Sequence, residues 1–335
     1  MGGAVGIIGA GGWGTALAKV LCEKGDEVTL WCHGEKSYQE IQEKNENRSY
    51  LPGIPLPRSL KVTRSLKEAA TGKNLLFCVV PSHTVREVMN AALPHVDPQA
   101  TLVCGTKGIE EGSLLPMGEV LSDIFGAPKR EKLAFLSGPT FALEVAQGLP
   151  TAVTVAAFAE RAALEIQEAL STQNLRVYTS RDVVGVQMGG VVKNVIAIAA
   201  GICDGLGLGY NARAALVTRG LAEMTRLAIR MGGDPLTLSG LPGLGDLILT
   251  CTGELSRNRK VGIEIARGKK LDEILHGMRM VAEGIRNTRS VYLLAGQLAV
   301  EMPIVEQMFL VLYQDKKPRE AVRDLMQRSL KAEIS

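Results

Sequence analysis

The sequence predicts a doubly wound α/β domain over residues 1–180, followed by an all-α C-terminal domain over residues 181–335. Three observations carry that prediction. Short apolar runs alternate with helical patterns through the first half. Strand signals fade after Asp182, where long helical patterns take over. A chain of 335 residues also exceeds the size that one hydrophobic core usually serves, so two domains are the default.

The first element is the most specific. Residues 4–8 form a short apolar run, Gly9-Ala10-Gly11-Gly12-Trp13-Gly14 follows at once, and residues 15–21 read as a helix. Strand, G-x-G-x-x-G, helix is the dinucleotide-binding pattern, and it marks the first domain as Rossmann-type. Gly9 allows the tight turn, Gly11 lets the backbone approach a pyrophosphate, and Gly14 lets helix and strand pack closely. The helix start offers free N–H groups and partial positive charge to the phosphates. The plain alternative is a glycine-rich turn that binds nothing; the flanking strand and helix weigh against it.

Further strands are expected at 28–31, 75–80, 101–104 and 133–136, with short ones at 152–156 and 176–179. The run 75–80 is continuously apolar, as a strand buried on both faces requires. Helices are expected between them, at 82–92 and 113–125. In the second half, Asp182 suits the N-cap of a helix running to about residue 203. A second long helix covers 213–231 and ends at Gly232-Gly233, and shorter ones cover 256–267, 282–300 and 318–327. The Pro-rich segment 51–57 reads as an ordered surface loop.

Composition narrows the function classes. A formal charge of +3 and the lack of any Lys/Arg block leave no nucleic-acid footprint. Six cysteines without a C-x-x-C pair read as buried free thiols in a reducing, cytoplasmic compartment. The chain enters a strand directly, which leaves no room for a signal peptide. The longest apolar stretch, 191–202, contains Lys193 and Asn194 and is too short to span a bilayer, so no stable membrane insertion is expected.

The end of the second strand bears on the choice of dinucleotide. NAD-selective folds place an acidic residue there for the ribose hydroxyls. Here Trp31, Cys32 and His33 occupy the strand end, and Glu35 comes slightly late. The lack of a carboxylate leaves space for a 2′-phosphate, to which His33 can donate, so NADP(H) is preferred and NAD(H) is possible. A surface histidine with no ligand is an equal reading of His33 alone.

Three segments put polar residues where packing alone predicts none. Thr106-Lys107-Gly108 follows the strand at 101–104, at the sheet end where open α/β sheets bind ligands. Lys193 and Asn194 interrupt a nearly all-apolar helix, and burial lowers a lysine pKa toward a value usable for proton exchange. Asp246 and Thr250 are four apart and share a helix face, while Ser256-Arg257-Asn258 opens the next helix with a capping hydroxyl and a phosphate-matching guanidinium. Taken singly, each has a bland reading: a solvated loop lysine, a lysine snorkelling from a helix flank, a capped surface helix.

Together and in order, these segments resemble the NAD(P)-dependent glycerol-3-phosphate dehydrogenases of bacterial type. The matching motifs are residues 9–16, Pro81-Ser82-His83, Thr106-Lys107-Gly108, residues 136–142, Val192-Lys193-Asn194-Val195, residues 241–247, Ser256-Arg257-Asn258-Arg259 and Val281-Ala282-Glu283-Gly284. They span nearly the whole chain. The resemblance implies interconversion of sn-glycerol 3-phosphate and dihydroxyacetone phosphate, supplying phospholipid synthesis, by a cytoplasmic homodimer. It implies Lys193 as general acid/base with Asp246 beside it. It also implies a substrate site of Lys107, Gly138, Thr140, Asn194, Asp246, Thr250, Ser256, Arg257 and Asn258 around Lys193. Cofactor contacts are implied for Gly9, Gly11, Gly12, Trp13, Gly14, His33, Lys107, Ala142, Arg257, Val281 and Glu283, and no metal site.

Two positions depart from the pattern. Many relatives carry Ser or Asn at Gly12, and some carry a basic residue at Gly34, which leaves His33 as the main group near a 2′-phosphate. A β-hydroxyacid dehydrogenase or imine reductase of the same two-domain plan is the enzyme alternative, although those place lysine and asparagine one helical turn apart. A non-catalytic NAD(P)-sensing module is the alternative from another class.

Overall fold

The computed structural model describes residues 3–277, 282–330 and 332–333. Its strands are β1 (Ala4–Ile8), β2 (Glu27–Trp31), β3 (Lys61–Thr63), β4 (Leu75–Cys78), β5 (Thr101–Cys104), β6 (Leu133–Ser137), β7 (Thr151–Ala157) and β8 (Leu175–Ser180). They form one sheet in the order β3-β2-β1-β4-β5-β6-β7-β8. All neighbours run parallel except β6 and β7, which are antiparallel. Strand order reverses between β1 and β4, and such a switch point leaves a crevice at the carboxyl ends of the strands.

Helices α1 (Gly12–Lys24), α2 (Glu35–Lys44), α3 (Leu66–Ala70), α4 (Val85–Ala92), α5 (Met117–Phe125), α6 (Ala142–Ala146) and α7 (Glu160–Leu170) accompany the sheet. Two cores result, one per face. Leu75 and Phe77 of β4 pack with α1 and α7, while Leu76 and Cys78 pack with α3, α4 and α5. The continuous apolar run follows from this two-sided burial.

From Val183 onward the described residues are helical: α8 (Val183–Gly205), α9 (Gly209–Arg230), α10 (Pro235–Ser239), a wide π-type turn at Leu241–Gly245, α11 (Asp246–Thr252), α12 (Arg257–Ala266), α13 (Leu271–Gly277), α14 (Glu283–Gln297), α15 (Pro303–Tyr313) and α16 (Pro318–Met326). Asp182 accepts a hydrogen bond from the Gly185 N–H at 2.8 Å and caps α8. By length and composition α8 resembles a membrane span, yet 89% of its most apolar window is buried inside the protein. It is the axis of the third core, packed by Met224, Leu247, Val261, Val291 and Val305 of the surrounding helices.

Several sequence expectations are corrected. The helix expected at 113–125 begins at Met117, because Leu114 adopts φ 57° and Pro116 directly precedes the helix. The helix expected at 82–92 starts with a tight turn, Ser82–Thr84, before α4. The strand expected at 75–80 ends at Cys78, and α9 begins at Gly209 rather than 213. The 51–57 segment is ordered but not merely surface: Leu51, Ile54 and Leu56 are buried in the core on the α1 face. All six cysteines are free and buried, as expected.

Candidate active site

The glycine loop lies at the strand-order reversal, between β1 and α1. Gly9 adopts φ 123°, and a Cβ on Gly14 would lie 1.9 Å from the Gly9 carbonyl oxygen, so neither position tolerates a side chain. A Cβ on Gly11 would meet nothing within 4 Å. The first turn of α1 has no acidic residue and no side-chain cap. Free N–H groups therefore border an open cradle, which fits a dinucleotide pyrophosphate. Asn47, fully buried, pins the loop by donating to the Ala10 carbonyl at 2.9 Å and to Thr15 Oγ1 at 2.8 Å. A Cβ on Gly12 would sit 3.0 Å from the Tyr50 carbonyl oxygen and 3.6 Å from Ala142 Cβ, so a serine there would press on the 50-loop. Trp13 lies over Gly105 at the end of β5.

At the neighbouring strand end, the Trp31 carbonyl accepts a hydrogen bond from the Gly9 N–H at 3.3 Å. Its indole N–H donates to the Arg64 carbonyl at 3.1 Å. His33 is exposed, its ring 5.7 Å from that of Trp31. Glu35, the first residue of α2, forms an ion pair with the Arg64 guanidinium.

The lysine cluster joins the two halves of the chain. Lys193, midway along α8, is 7% exposed, and Asp246 at the start of α11 is 1% exposed. The Lys193 ammonium donates to Asp246 Oδ1 and, at 3.1 Å, to Thr250 Oγ1. Thr250 in turn donates to the Asp246 carbonyl at 2.6 Å, the one-turn spacing expected on a shared helix face. Lys107, from the loop after β5, donates to Asp246 Oδ2 at 2.6 Å. Its aliphatic stem crosses Gly190, where a Cβ would lie 3.2 Å from Lys107 Cδ. Burial pulls the Lys193 ammonium down to about 7; Asp246 opposes that shift and Lys107 reinforces it. Asp246 is pushed up by burial, but the two ammonium groups outweigh this and hold it below the usual carboxylate range.

A second polar cluster ties α8, α12 and α14 together. Asn258 donates to Asn194 Oδ1 at 2.9 Å and accepts from the Gly284 N–H at 3.0 Å. Ser256 caps α12 by accepting from the Arg259 N–H at 3.2 Å. Arg257, the first residue of α12, keeps its side chain exposed; surrounding protein lowers its pKa and the Glu283 carboxylate opposes that. Glu283 accepts from the Ser82 N–H at 3.0 Å and from Ser82 Oγ at 2.6 Å, which docks the start of α14 onto the loop after β4. Gly138 has φ 144°, and Thr140 donates back to its carbonyl at 3.2 Å.

The family models for the NAD-dependent glycerol-3-phosphate dehydrogenase N-terminus and C-terminus match residues 4–163 and 182–323. The chain belongs to that family. It is 55% identical to a glycerol-3-phosphate dehydrogenase (NAD(P)+) of Citrifermentans bemidjiense, over 98% of each chain. It is 52% identical to one of Syntrophotalea carbinolica, over 98% of this chain and 99% of the relative. Its fold matches the crystal structure of glycerol-3-phosphate dehydrogenase from Coxiella burnetii with a TM-score of 0.93 and 42% identity, covering 98% of this chain and 99% of that one.

Within this dehydrogenase family member, the fold brings Lys107, Lys193, Asp246 and Thr250 into one hydrogen-bonded group. Asn194 and Asn258 form a neighbouring one. Val281 lies outside the described residues. Sequence reasoning missed three buried polar groups beside the site. Asn287 of α14 donates to the carbonyls of Lys107 and Val191, both at 3.4 Å. Ser137 lines a void of about 10 Å³ shared with Lys107 and Gln187, and Asn47 holds the glycine loop. An asparagine on the buried face of a helix is the available signal for Asn287; Ser137 lies within the matching run 136–142 without a role of its own, and nothing local marks Asn47.

Proposed function

We propose that this chain reduces dihydroxyacetone phosphate to sn-glycerol 3-phosphate and catalyses the reverse oxidation, with NADP(H) preferred and NAD(H) accepted. The observation that carries this reading is the buried Lys193 ammonium, held by Asp246 beside the sheet's ligand-binding end.

The nicotinamide, when bound, supplies the hydride to the carbonyl carbon. Gly9, Gly11, Gly12, Trp13, Gly14, His33, Lys107, Ala142, Arg257 and Glu283 would hold the dinucleotide along its length. Lys193 does the proton work. An ammonium has three donors, and Asp246 and Thr250 engage two of them. The third is available to the substrate oxygen as negative charge develops on it. Asp246 orients Lys193 and favours its protonated form, while burial, reinforced by Lys107, keeps the proton transferable near neutral pH. Arg257 anchors the substrate phosphate, with Gly138, Thr140, Asn194, Ser256 and Asn258 lining the site, so binding of a non-reacting group positions the carbonyl.

The same reading divides the chain into a dinucleotide-binding domain, 1–180, and a helical substrate domain, 181–335. It places a homodimer in the cytoplasm; exposed Tyr210, Ile229 and Leu236 on the helical half are apolar side chains that a second copy would cover. Light scattering on the purified chain tests the dimer. For the reaction, cofactor absorbance is followed with dihydroxyacetone phosphate and with a panel of ketoacids. Oxidation of NADPH by dihydroxyacetone phosphate alone is expected. Turnover of the ketoacids instead, or cofactor binding without turnover, overturns the reading.

A further inference from the structure

We propose that Arg64, arriving from β3, takes the 2′-phosphate of NADP(H), and that Glu35 competes with that phosphate for the same guanidinium. The inference rests on the reading above, in which the end of β2 faces the adenosine ribose. Three contacts bring Arg64 to that end. Trp31 and Thr63 are register partners in the parallel β2–β3 pair. The Cys32 N–H donates to the Thr63 carbonyl at 2.9 Å, and the Trp31 indole N–H donates to the Arg64 carbonyl at 3.1 Å. The Trp31 carbonyl is itself bonded to Gly9 of the glycine loop. One residue thus fixes the distance between the pyrophosphate cradle and the Arg64 backbone.

The charges complete the case. A nearby arginine accommodates a 2′-phosphate, whereas an acidic residue at this strand end binds the free ribose hydroxyls. Here both types occur, paired with each other: the Arg64 guanidinium bonds the Glu35 carboxylate. The two side chains are 50% and 52% exposed, so the pair is weakly held and readily exchanged. With NADP(H), Arg64 turns to the dianionic phosphate, a stronger and forked partner. With NAD(H), Arg64 stays on Glu35, whose Oε1 already accepts from Gln39 Nε2 at 3.0 Å and keeps one further lone pair for a ribose hydroxyl. The pair accounts for use of both cofactors without a basic residue at Gly34.

Calorimetric titration of the full chain with NADPH and with NADH tests this independently of turnover. Arg64→Gln is expected to weaken NADPH binding about tenfold and leave NADH binding within about twofold, the loss of one charge-assisted contact. Glu35→Gln is expected to tighten NADPH and weaken NADH, each severalfold. Arg64→Gln with an unchanged NADPH to NADH affinity ratio overturns the assignment; if His33→Gln alone then shifts the ratio, the phosphate belongs to His33. Failure of the wild-type chain to turn over dihydroxyacetone phosphate, with these affinity shifts intact, counts against the reaction and not against Arg64. Failure to bind either cofactor overturns both.

Discussion

Lys107 and Lys193 bond opposite oxygens of the single Asp246 carboxylate. Two cations share one anion, so the group carries one net positive charge in a site largely shielded from water. Losing either hydrogen bond leaves a buried or half-buried charge without its partner, which is costly. At Lys193 the two neighbours act in opposition: the Lys107 ammonium disfavours its charge, while Asp246 favours it.

Replacing Lys193 removes the proposed proton donor and spares the glycine loop. Lys193→Ala is expected to lower kcat about 10²- to 10⁴-fold, the usual contribution of a general acid. Cofactor affinity, measured by titration, should stay within about twofold. Near-normal turnover would remove Lys193 from the mechanism.

The pH profile should follow the Lys193 value of about 7. On the proposed mechanism ketone reduction needs the ammonium, so kcat/KM falls as pH rises through about 7; alcohol oxidation needs the free amine and its kcat/KM rises over the same interval. Substitutions of its neighbours shift the midpoint in opposite directions. Asp246→Asn removes the charge that raises the Lys193 pKa and moves the midpoint down. Lys107→Met removes the charge that lowers it and moves the midpoint up. Movement of both midpoints in the same direction would contradict the assigned electrostatics.

Arg257→Ala should raise KM for dihydroxyacetone phosphate at least about tenfold, as loss of a charged phosphate contact implies. Ser256→Ala removes the α12 cap and should cost about 1 kcal/mol of stability. An unchanged KM in the Arg257 variant takes that residue out of the phosphate site.

Glu223 of α9 should make stability pH-dependent through its contact with α15. Its carboxylate accepts hydrogen bonds from the Ile304 and Val305 N–H groups at the start of α15, at 2.7 and 3.2 Å. Burial raises its pKa from 4.5 to about 7, against the effect of those two N–H groups. Between these values the folded chain binds more protons than the unfolded one, so this contribution to stability falls as pH rises from 4.5 to 7. Glu223→Gln should flatten that slope, and it gives up one of the two N–H contacts because an amide offers a single acceptor oxygen. Denaturant titrations at pH 5 and pH 8 that show identical slopes for both proteins would exclude this role.

Local signals account for what was readable. The loop from Gly9 to Gly14 announces itself because backbone conformation and close packing demand glycine at fixed spacings. Asp182 marks the start of α8 because a capping carboxylate acts within one turn. The buried Ile304, Val305, Met308, Val311 and Leu312 face of α15, with Pro303 at its start, carries the same kind of local signal. By contrast, α2 buries only Ser37 and Ile41, and β3 spans three residues, so neither offers a period to detect. Arg64 had no visible place while β3 had none.

The sequence by itself determined a dinucleotide loop, a sheet buried on both faces and an apolar helix interrupted by Lys193. Each of these is written in the spacing of neighbouring residues. Only the tertiary structure decided that Asp246 holds both Lys193 and Lys107, that Asn258 locks Asn194, and that Arg64 meets Glu35. Desolvation and charge pairing depend on distance in space, and those partners come from separate elements that meet only when the chain folds.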